Sequence, residues 1–292
     1  MTYKRCIKFL FRVDYNLSRL AALEKHDLRD YCKFLFLKEA MSSLDFSNVV
    51  ETIDFSDVEG KNLSQCMVNL PILVVKNFLS ADYISENLKK IKENFSPEND
   101  CYSTGPLRVG MPNFQRFDMG NHPSKNPKCL RAFTFFNWEK SSIFKEGINK
   151  MAQFRDKHFT LPNYLHKNKD DKYEFKDYPR IVQYPTGAGF LNEHVDEDRE
   201  LYPEGTPNML VCLTRRENPE KKGDFKRGGL FYVHEGEELD VEDFLDTGDL
   251  CMHNQKVAHG VKTVDSGEKP KLDDFSGRFM LLLSTYRFKK ES

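Results

Sequence analysis

Residues Tyr184 to Asp196 read YPTGAGFLNEHVD, an apolar run broken by glycines that ends in a histidine and an aspartate one residue apart. Side chains two residues apart on a β-strand point to the same face. If this stretch is a strand, the imidazole of His194 and the carboxylate of Asp196 converge on one point. Such a pair suits a metal ion, and it also suits an ion pair at the surface.

The C-terminal part of the chain is built from short β-type runs. From Pro179 onward, RIVQYP, NMLVCLT, GGLFYVHEG and GRFMLLLSTYRF are separated by residues typical of turns. Many short strands of this kind predict a sandwich or a jelly-roll barrel. Helical patterns come first, as in RLAALEKHDLRDYCKFLFLKEAMSSL, so the chain is predicted to be α+β, with helices packed outside the barrel.

The sequence changes character near residue 69. There LPILVVKNFLS begins with a β-rich run and leads into an amphipathic helix. We therefore expect a helical N-terminal extension over residues 1–68, packed on a core domain of residues 69–292. The acidic run EGEELDVEDFLD within that domain is expected to be a solvated face.

Composition and charge exclude several classes of protein. Hydrophobic residues make up 39% of the 292 residues, which is enough for a packed core. The net charge of -1 carries no basic excess that would indicate a nucleic-acid partner, and no run approaches the roughly 20 apolar residues of a membrane span. Seven scattered cysteines without C-x-x-C favour reduced thiols and a cytoplasmic location.

A metal site with two histidines and one carboxylate needs a second histidine from a later strand. His259 directly precedes Gly260, at the start of an apolar strand that can lie beside the one ending in HVD. His253 ends the preceding strand and is expected to begin a turn, and His234 is expected to be exposed or to have other partners. We therefore favour His259 over His253.

An arginine at the start of the last apolar run indicates a position that binds an acid. Arg278 opens this run, in GRFMLLLSTYR. A buried guanidinium is costly unless a carboxylate pairs with it, and arginine favours a carboxylate bound through two hydrogen bonds. A small dicarboxylate that enters the barrel would supply this partner.

Over about residues 70–292 the chain resembles the Fe(II)- and 2-oxoglutarate-dependent dioxygenases with a double-stranded β-helix, most closely their prolyl-hydroxylase-like branch. The matching motifs, in chain order, are Y-P-x-G-x-G-F, H-V-D, NMLVCLT, the glycine pair of RGGLFYV, GDLCMH followed by HGV, and GRFMLLL. H-x-D alone occurs often by chance, whereas the ordered set is specific.

The resemblance implies a role for each matched residue. The catalytic Fe(II) would be held by two histidines and a carboxylate, His194, Asp196 and His259. Arg278 would bind the distal carboxylate of 2-oxoglutarate, Tyr184 would contact the co-substrate or the metal pocket, and Asn208 would line the same pocket. O2 would be consumed, succinate and CO2 released, and ascorbate would be an optional reductant.

One feature departs from the family pattern. The segment between His259 and Arg278 is longer than usual and reads as an inserted loop. Arg278 is preferred as the anchor because Gly277 and the apolar run fit the final strand. The alternative is that Arg278 is structural and that another residue, such as Arg287, holds the co-substrate.

The function expected from this resemblance is hydroxylation of a small molecule such as an amino acid, a sugar or a secondary metabolite. A peptidyl, prolyl-type hydroxylase is an alternative within the same chemistry. Outside it, the alternatives are a metal-free jelly roll that binds a ligand or a partner protein, and a cupin-type metalloenzyme that uses no 2-oxoglutarate. No nucleic-acid or membrane partner is expected.

Overall fold

The structure, a computed structural model, describes residues 49–69, 71–94, 101–102, 114–117, 128–134, 143–159, 173–196, 207–254, 256–272 and 274–289. The strands within these residues are β1 (Val50–Asp54), β2 (Ile72–Lys76), β3 (Cys101–Tyr102), β4 (Phe114–Phe117), β5 (Lys128–Thr134), β6 (Tyr173–Tyr184), β7 (Phe190–His194), β8 (Asn208–Cys212), β9 (Gly229–His234), β10 (Glu237–Asp240), β11 (Leu250–His253), β12 (Ala258–Lys262) and β13 (Arg278–Lys289). The α-helices are α1 (Leu63–Asn69), α2 (Ala81–Asn94) and α3 (Lys145–His158), and short 3-10 turns span Phe55–Asp57 and Glu242–Phe244. None of these described helices is long and apolar enough to cross a membrane.

The strands form one mixed sheet that curls back on itself. One side has the order β1-β2-β11-β8-β13-β6-β5, and the other continues as β7-β12-β9-β10. Strand β5 joins the two sides, because residues 131–134 pair with β6 whereas residues 128–129 pair with β7. Strands far apart in sequence pair antiparallel, as β13 does with β8. This is the arrangement of a double-stranded β-helix, and it confirms the predicted α+β fold class.

Strand β13 explains why the last apolar run is nearly continuous. Odd-numbered residues near its start belong to the hydrophobic core and even-numbered residues line an internal cavity: Phe279, Leu281 and Leu283 on one face, and Met280, Leu282 and Ser284 on the other. Because both faces are covered, the strand lacks the polar alternation of a half-exposed strand.

Helices α2 and α3 pack in the hydrophobic core on the outer face of the sheet. Ile84 and Ile91 of α2, and Met151 and Phe154 of α3, are buried in the same core as Ile181 of β6. Burying an apolar side chain of this size stabilises a fold by about 1.5–3 kcal/mol. The helices therefore stabilise the outer face and leave the inner face of the sheet to the cavity.

The unit that contains the sheet begins before residue 69, the predicted start of the core domain, because strand β1 belongs to it. Val50–Asp54 pairs in parallel with Ile72–Lys76, and Leu63 and Met67 of α1 are buried in the core. The described residues 49–69 therefore pack with the sheet and not as a separate helical extension, because a strand needs its neighbour to satisfy its backbone groups. The helices predicted before residue 49 lie outside the described residues.

The loop between β12 and β13 packs against the sheet without displacing β13. The Gln183 amide donates to the backbone carbonyls of Asp274 and Ser276, each at 2.8 Å. The buried guanidinium of Arg131 donates to the carbonyl of Leu272. The loop thus absorbs the extra length of this segment, and β13 keeps its antiparallel register with β6.

Candidate metal centre

A tight glycine turn delivers His194 to the cavity. Strand β6 ends at Tyr184, and in the following turn Gly187 has a φ of +80°, a conformation that favours glycine. A Cβ atom on Gly189 would lie 2.3 Å from the carbonyl carbon of Tyr184, so only glycine fits. Strand β7 then runs beside β12, with His194 in register with His259.

Three side chains converge at the end of β7. Ligand atoms of His194, Asp196 and His259 all lie within 4.8 Å of one another. Nε2 of His194 is 3.5 Å from Oδ1 of Asp196, and Nε2 of His259 is 3.8 Å from Oδ2. Asp196 lies beyond the last residue of β7, so strand alternation alone does not bring the three together. The pairing of β7 with β12 completes the group.

Backbone carbonyls orient both imidazoles. Nδ1 of His194 is 3.0 Å from the carbonyl oxygen of Asn192, and Nδ1 of His259 is 3.0 Å from that of Val257. A hydrogen on each Nδ1 satisfies these acceptors and leaves the lone pair of Nε2 for a metal ion. The donor set therefore fits a metal ion that binds two neutral imidazoles and a carboxylate.

Burial and the charge of Asp196 act in opposite directions on the two histidines. Burial lowers the pKa of His194, but the hydrogen bond and charge of Asp196 outweigh burial and raise it overall. At His259 burial dominates and the pKa is lowered. Burial also acts to raise the pKa of Asp196, but the hydrogen bond from His194 and the nearby imidazoles hold it well below its usual range. The carboxylate is thus ionised at neutral pH, as metal binding requires.

Asn208 contacts the carboxylate of the triad. It is the first residue of β8, lines the cavity, and donates a hydrogen bond from its Nδ2 to Oδ2 of Asp196. A hydrogen bond of this kind fixes the direction in which a metal-binding carboxylate points.

We predict that Asn208→Ala weakens Fe(II) binding by about 10- to 100-fold, because loss of an outer-shell hydrogen bond usually costs that much affinity. An anaerobic Fe(II) titration measures the effect. Asn218→Ala is the matched control, since Asn218 accepts hydrogen bonds in an exposed turn. Wild-type affinity in Asn208→Ala would show that this contact does not support the metal.

A cavity of about 320 Å³ extends from the triad between the two sides of the sheet. This volume is in the range of small-molecule sites. Among the described residues, its wall is apolar except for the triad and six polar side chains, Lys128, Arg180, Tyr184, Asn208, His253 and Ser284.

Tyr184 and His253 are buried polar groups of the cavity wall. Burial raises the pKa of Tyr184 to about 12, so its hydroxyl stays protonated. Burial lowers the pKa of His253 to about 3, so its imidazole is neutral. The ring of His253 lies 4.5 Å from that of His259, but His253 is outside the group of converging ligand atoms. His253 is the last residue of β11, as expected, and the turn that follows begins at Asn254; the residue itself is buried.

Arg278 is buried beside Glu242 and is not among the residues that line the cavity. Its Nε donates to Oε1 of Glu242, and both side chains are 1% exposed. Nη1 lies 3.1 Å from Sδ of Met280, and Nη2 has no hydrogen-bond partner among the described residues. Glu242 thus supplies the carboxylate that the buried guanidinium requires.

The acidic run is solvated over part of its length, but the expectation of exposure is wrong for Glu242. The side chain of Arg287 lies outside the described residues.

Two cations of the cavity wall were not singled out in the sequence. Arg180 lies four residues before Tyr184 on β6, so a period of two puts both on the same face. Because Tyr184 was expected to face the pocket, the same period could have predicted that Arg180 faces the cavity too. Lys128 is the first residue of β5 and follows a stretch rich in Pro, Gly and Asn, where no periodicity indicates its direction.

Comparison with known proteins gives similarity at the level of structure. No protein-family model matches the chain, and no curated protein matches it. Similar solved structures include a Pseudomonas putida prolyl-4-hydroxylase, with 16% identity and a TM-score of 0.47 over 78% of this chain and 97% of that one. A 2OG-Fe(II) oxygenase family oxidoreductase from Burkholderia pseudomallei has 10% identity and a TM-score of 0.42, over 81% and 96% of the two chains. A viral collagen prolyl hydroxylase from Paramecium Bursaria Chlorella virus-1, in complex with 2OG, has 14% identity and a TM-score of 0.39, over 75% and 98%.

Two of these structures are prolyl hydroxylases and one is a 2OG-Fe(II) oxygenase. At such identities and TM-scores the similarity does not bear on the substrate or on single residues.

Proposed function

We propose that this protein is an Fe(II)- and 2-oxoglutarate-dependent oxygenase that hydroxylates an unactivated C–H bond of a small molecule. The convergence of His194, Asp196 and His259 on the wall of a cavity supports this function most strongly. Two imidazoles and one carboxylate are the ligand set typical of non-heme Fe(II) oxygenases, and they leave positions open for co-substrate and O2. A cavity of about 320 Å³ suits a small molecule better than a long chain.

Each residue of the site has a defined task in this proposal. Bound iron would supply oxidation by O2 coupled to conversion of 2-oxoglutarate into succinate and CO2, with ascorbate as an optional reductant. His194 and His259 offer Nε2 to the metal, and Asn208 holds Asp196 in position. Tyr184 keeps its hydroxyl hydrogen and can donate it to a carboxylate of the co-substrate.

Arg278 is our candidate for the residue that binds the distal carboxylate of 2-oxoglutarate. Arg278 lies directly opposite Tyr184 on the adjacent strands β13 and β6, so these two donor residues are neighbours in the sheet. Its Nη2 has no hydrogen-bond partner among the described residues, although Glu242 already pairs with Nε. A carboxylate that reached Nη2 would satisfy this buried donor.

The ion pair between Arg278 and Glu242 favours a second candidate function, a cupin-type metalloenzyme that uses no 2-oxoglutarate. In that case the guanidinium is a structural group whose charge Glu242 already balances. The metal and the cavity keep their roles, and only the co-substrate differs.

An anaerobic optical titration with Fe(II) and then 2-oxoglutarate tests the proposal. We predict a weak visible charge-transfer band that needs both additions. The double variant Arg278→Met with Glu242→Leu removes the buried ion pair without leaving a single charge, and we expect it to bind 2-oxoglutarate at least about tenfold more weakly. No band in folded wild type contradicts the oxygenase proposal, and wild-type co-substrate affinity in the double variant contradicts the role of Arg278.

We also propose a cytoplasmic location for this chemistry, because a reducing compartment keeps thiols free. Among the described cysteines, Cys66, Cys212 and Cys251 form no disulfide.

A further inference from the structure

A carboxylate of the chain already holds one side of Arg278, the candidate anchor for the co-substrate. Oε1 of Glu242 accepts a hydrogen bond from Nε of the guanidinium, and both side chains are 1% exposed. The same oxygen accepts the backbone N–H of Leu230 at 2.7 Å. Two donors therefore fix the position of this carboxylate beside the arginine.

The backbone around Glu242 leaves room for its side chain. Gly229 has a φ of +113°, and a Cβ atom there would lie 2.4 Å from Cγ and 2.6 Å from Oε1 of Glu242. The turn that carries Glu242 is attached to β9, because the N–H of Val241 donates to the carbonyl of Leu230 at 3.2 Å. The second glycine of RGGLFYV thus provides the space that Glu242 fills.

The other end of the guanidinium lies next to the cavity. Tyr184, directly opposite Arg278 on β6, and Met280, the next residue on the same face of β13, both line the cavity. Nη2 of Arg278 is buried and has no hydrogen-bond partner among the described residues. A buried donor of this kind is costly unless a ligand satisfies it. A carboxylate that enters from the cavity can therefore bind Nη2 while Glu242 still holds Nε.

The charge of the guanidinium is balanced before any ligand binds. Within the described residues, Glu242 is the carboxylate in ion-pair contact with Arg278. Burial raises the pKa of Cys212 well above its usual range and that of Tyr184 to about 12, so these two neighbours of the guanidinium stay uncharged. A carboxylate bound to Nη2 gains hydrogen bonds but is repelled by Glu242, and burial leaves this repulsion only weakly screened.

We propose that Glu242 sets the affinity of the co-substrate site, because it competes with 2-oxoglutarate for the charge of Arg278 and weakens its binding. The inference rests on the proposed function and concerns the regulation of the same site. With the carboxylate of Glu242 in place, half-occupancy requires a higher concentration of 2-oxoglutarate than an unpaired arginine would require. Occupancy of the site then follows the supply of the co-substrate.

Removal of the charge of Glu242 with little change in its shape tests the proposal. Glu242→Gln keeps an oxygen for the N–H of Leu230, and 2-oxoglutarate then supplies the only carboxylate for the guanidinium. We expect this variant to bind 2-oxoglutarate at least about tenfold more tightly than wild type, in line with the coupling of close charge pairs. Anaerobic titration of the Fe(II) optical band gives both affinities. Glu238→Gln is the control with wild-type affinity, since Glu238 pairs with Lys262 on the surface.

A neutral analogue of the co-substrate gives a second measurement, which wild type alone can provide. In 2,5-dioxohexanoate the 2-oxo acid end is kept and a methyl ketone replaces the distal carboxylate. We expect wild type to prefer 2-oxoglutarate over this analogue by less than about tenfold, because a balanced guanidinium gains little from the extra charge. In Glu242→Gln the preference is expected to grow at least about tenfold, with affinity for the analogue nearly unchanged.

Two results overturn the inference. One is a folded Glu242→Gln protein that binds 2-oxoglutarate no more tightly than wild type, because Glu242 would then at most position Arg278. The other is a wild type that prefers 2-oxoglutarate over the analogue by more than about tenfold, as an unbalanced cation would. Failure of the proposed function is distinct, because wild type would then show no optical band with either compound.

Discussion

The His194→Ala variant is expected to bind Fe(II) more than about 100-fold more weakly than wild type, because even outer-shell changes cost 10- to 100-fold. His194 supplies one of three converging ligand atoms, and its Nδ1 contact with a backbone carbonyl orients it for that task. The optical band with Fe(II) and 2-oxoglutarate is expected to disappear with the metal. An anaerobic Fe(II) titration and the optical spectrum measure both effects.

Two other histidines provide controls for this result. His234→Ala is expected to bind Fe(II) as wild type does, since His234 is a half-exposed residue at the end of β9. His253→Ala tests the alternative ligand, and we expect it to lose less than about tenfold in Fe(II) affinity because its contact with His259 is through ring packing. Retained affinity in His194→Ala together with its loss in His253→Ala would replace the predicted triad by a different ligand set.

The Glu242→Gln variant is expected to lower the free energy of unfolding by about 3–5 kcal/mol, the usual cost of removing one partner of a buried ion pair. The substitution keeps the size of the side chain and an oxygen for the backbone N–H of Leu230, which donates to Oε1 at 2.7 Å. It removes the charge that balances the fully buried guanidinium of Arg278. Urea unfolding followed by circular dichroism measures the change.

A surface variant and a double variant distinguish the effect of the unpaired buried charge on stability from other effects of the substitution. Glu238→Gln removes an exposed carboxylate that pairs with Lys262, and we expect a change below about 1 kcal/mol. The double change Glu242→Leu with Arg278→Met is expected to recover only part of the stability lost in Glu242→Gln, because no single charge stays buried but the backbone N–H of Leu230 loses its acceptor. A Glu242→Gln protein as stable as wild type would show that the two side chains are not a buried ion pair.

The strands of the C-terminal half are predicted well from local sequence. NMLVCLT contains Asn208–Cys212, GDLCMH contains Leu250–His253, and HGVKTV overlaps Ala258–Lys262. A strand of this kind is indicated by an apolar run and the turn residues at its ends, so it can be predicted without knowing the rest of the chain. The same holds for the turn with Gly187 and Gly189, where only glycine fits the backbone.

The start of the core unit could not be predicted in this way. The pairing of Val50–Asp54 with Ile72–Lys76 joins segments separated by a helix. The sequence of a short apolar run does not indicate which strand it pairs with. The sequence favours helix before residue 69, and tertiary pairing overrides that local preference for β1.

The burial of Glu242 is a similar case. In sequence it stands in an acidic run, where exposure is the ordinary outcome. Its side chain is buried because the chain brings it against Arg278, which is distant in sequence, and the two charges satisfy each other. This contact also decides that the guanidinium has a partner inside the protein before any co-substrate is present.

The amino-acid sequence by itself determined the α+β jelly-roll class and the candidate residues His194, Asp196, His259 and Arg278, because strand periodicity, turn residues and motif order are local properties. Only the tertiary structure decided which side chains meet. It brought His259 beside His194 through β-pairing, directed Arg180 and Lys128 into the cavity, and joined Arg278 to Glu242. The physical reason is that distances between residues far apart in the chain are set by sheet register and curvature, which no local pattern contains.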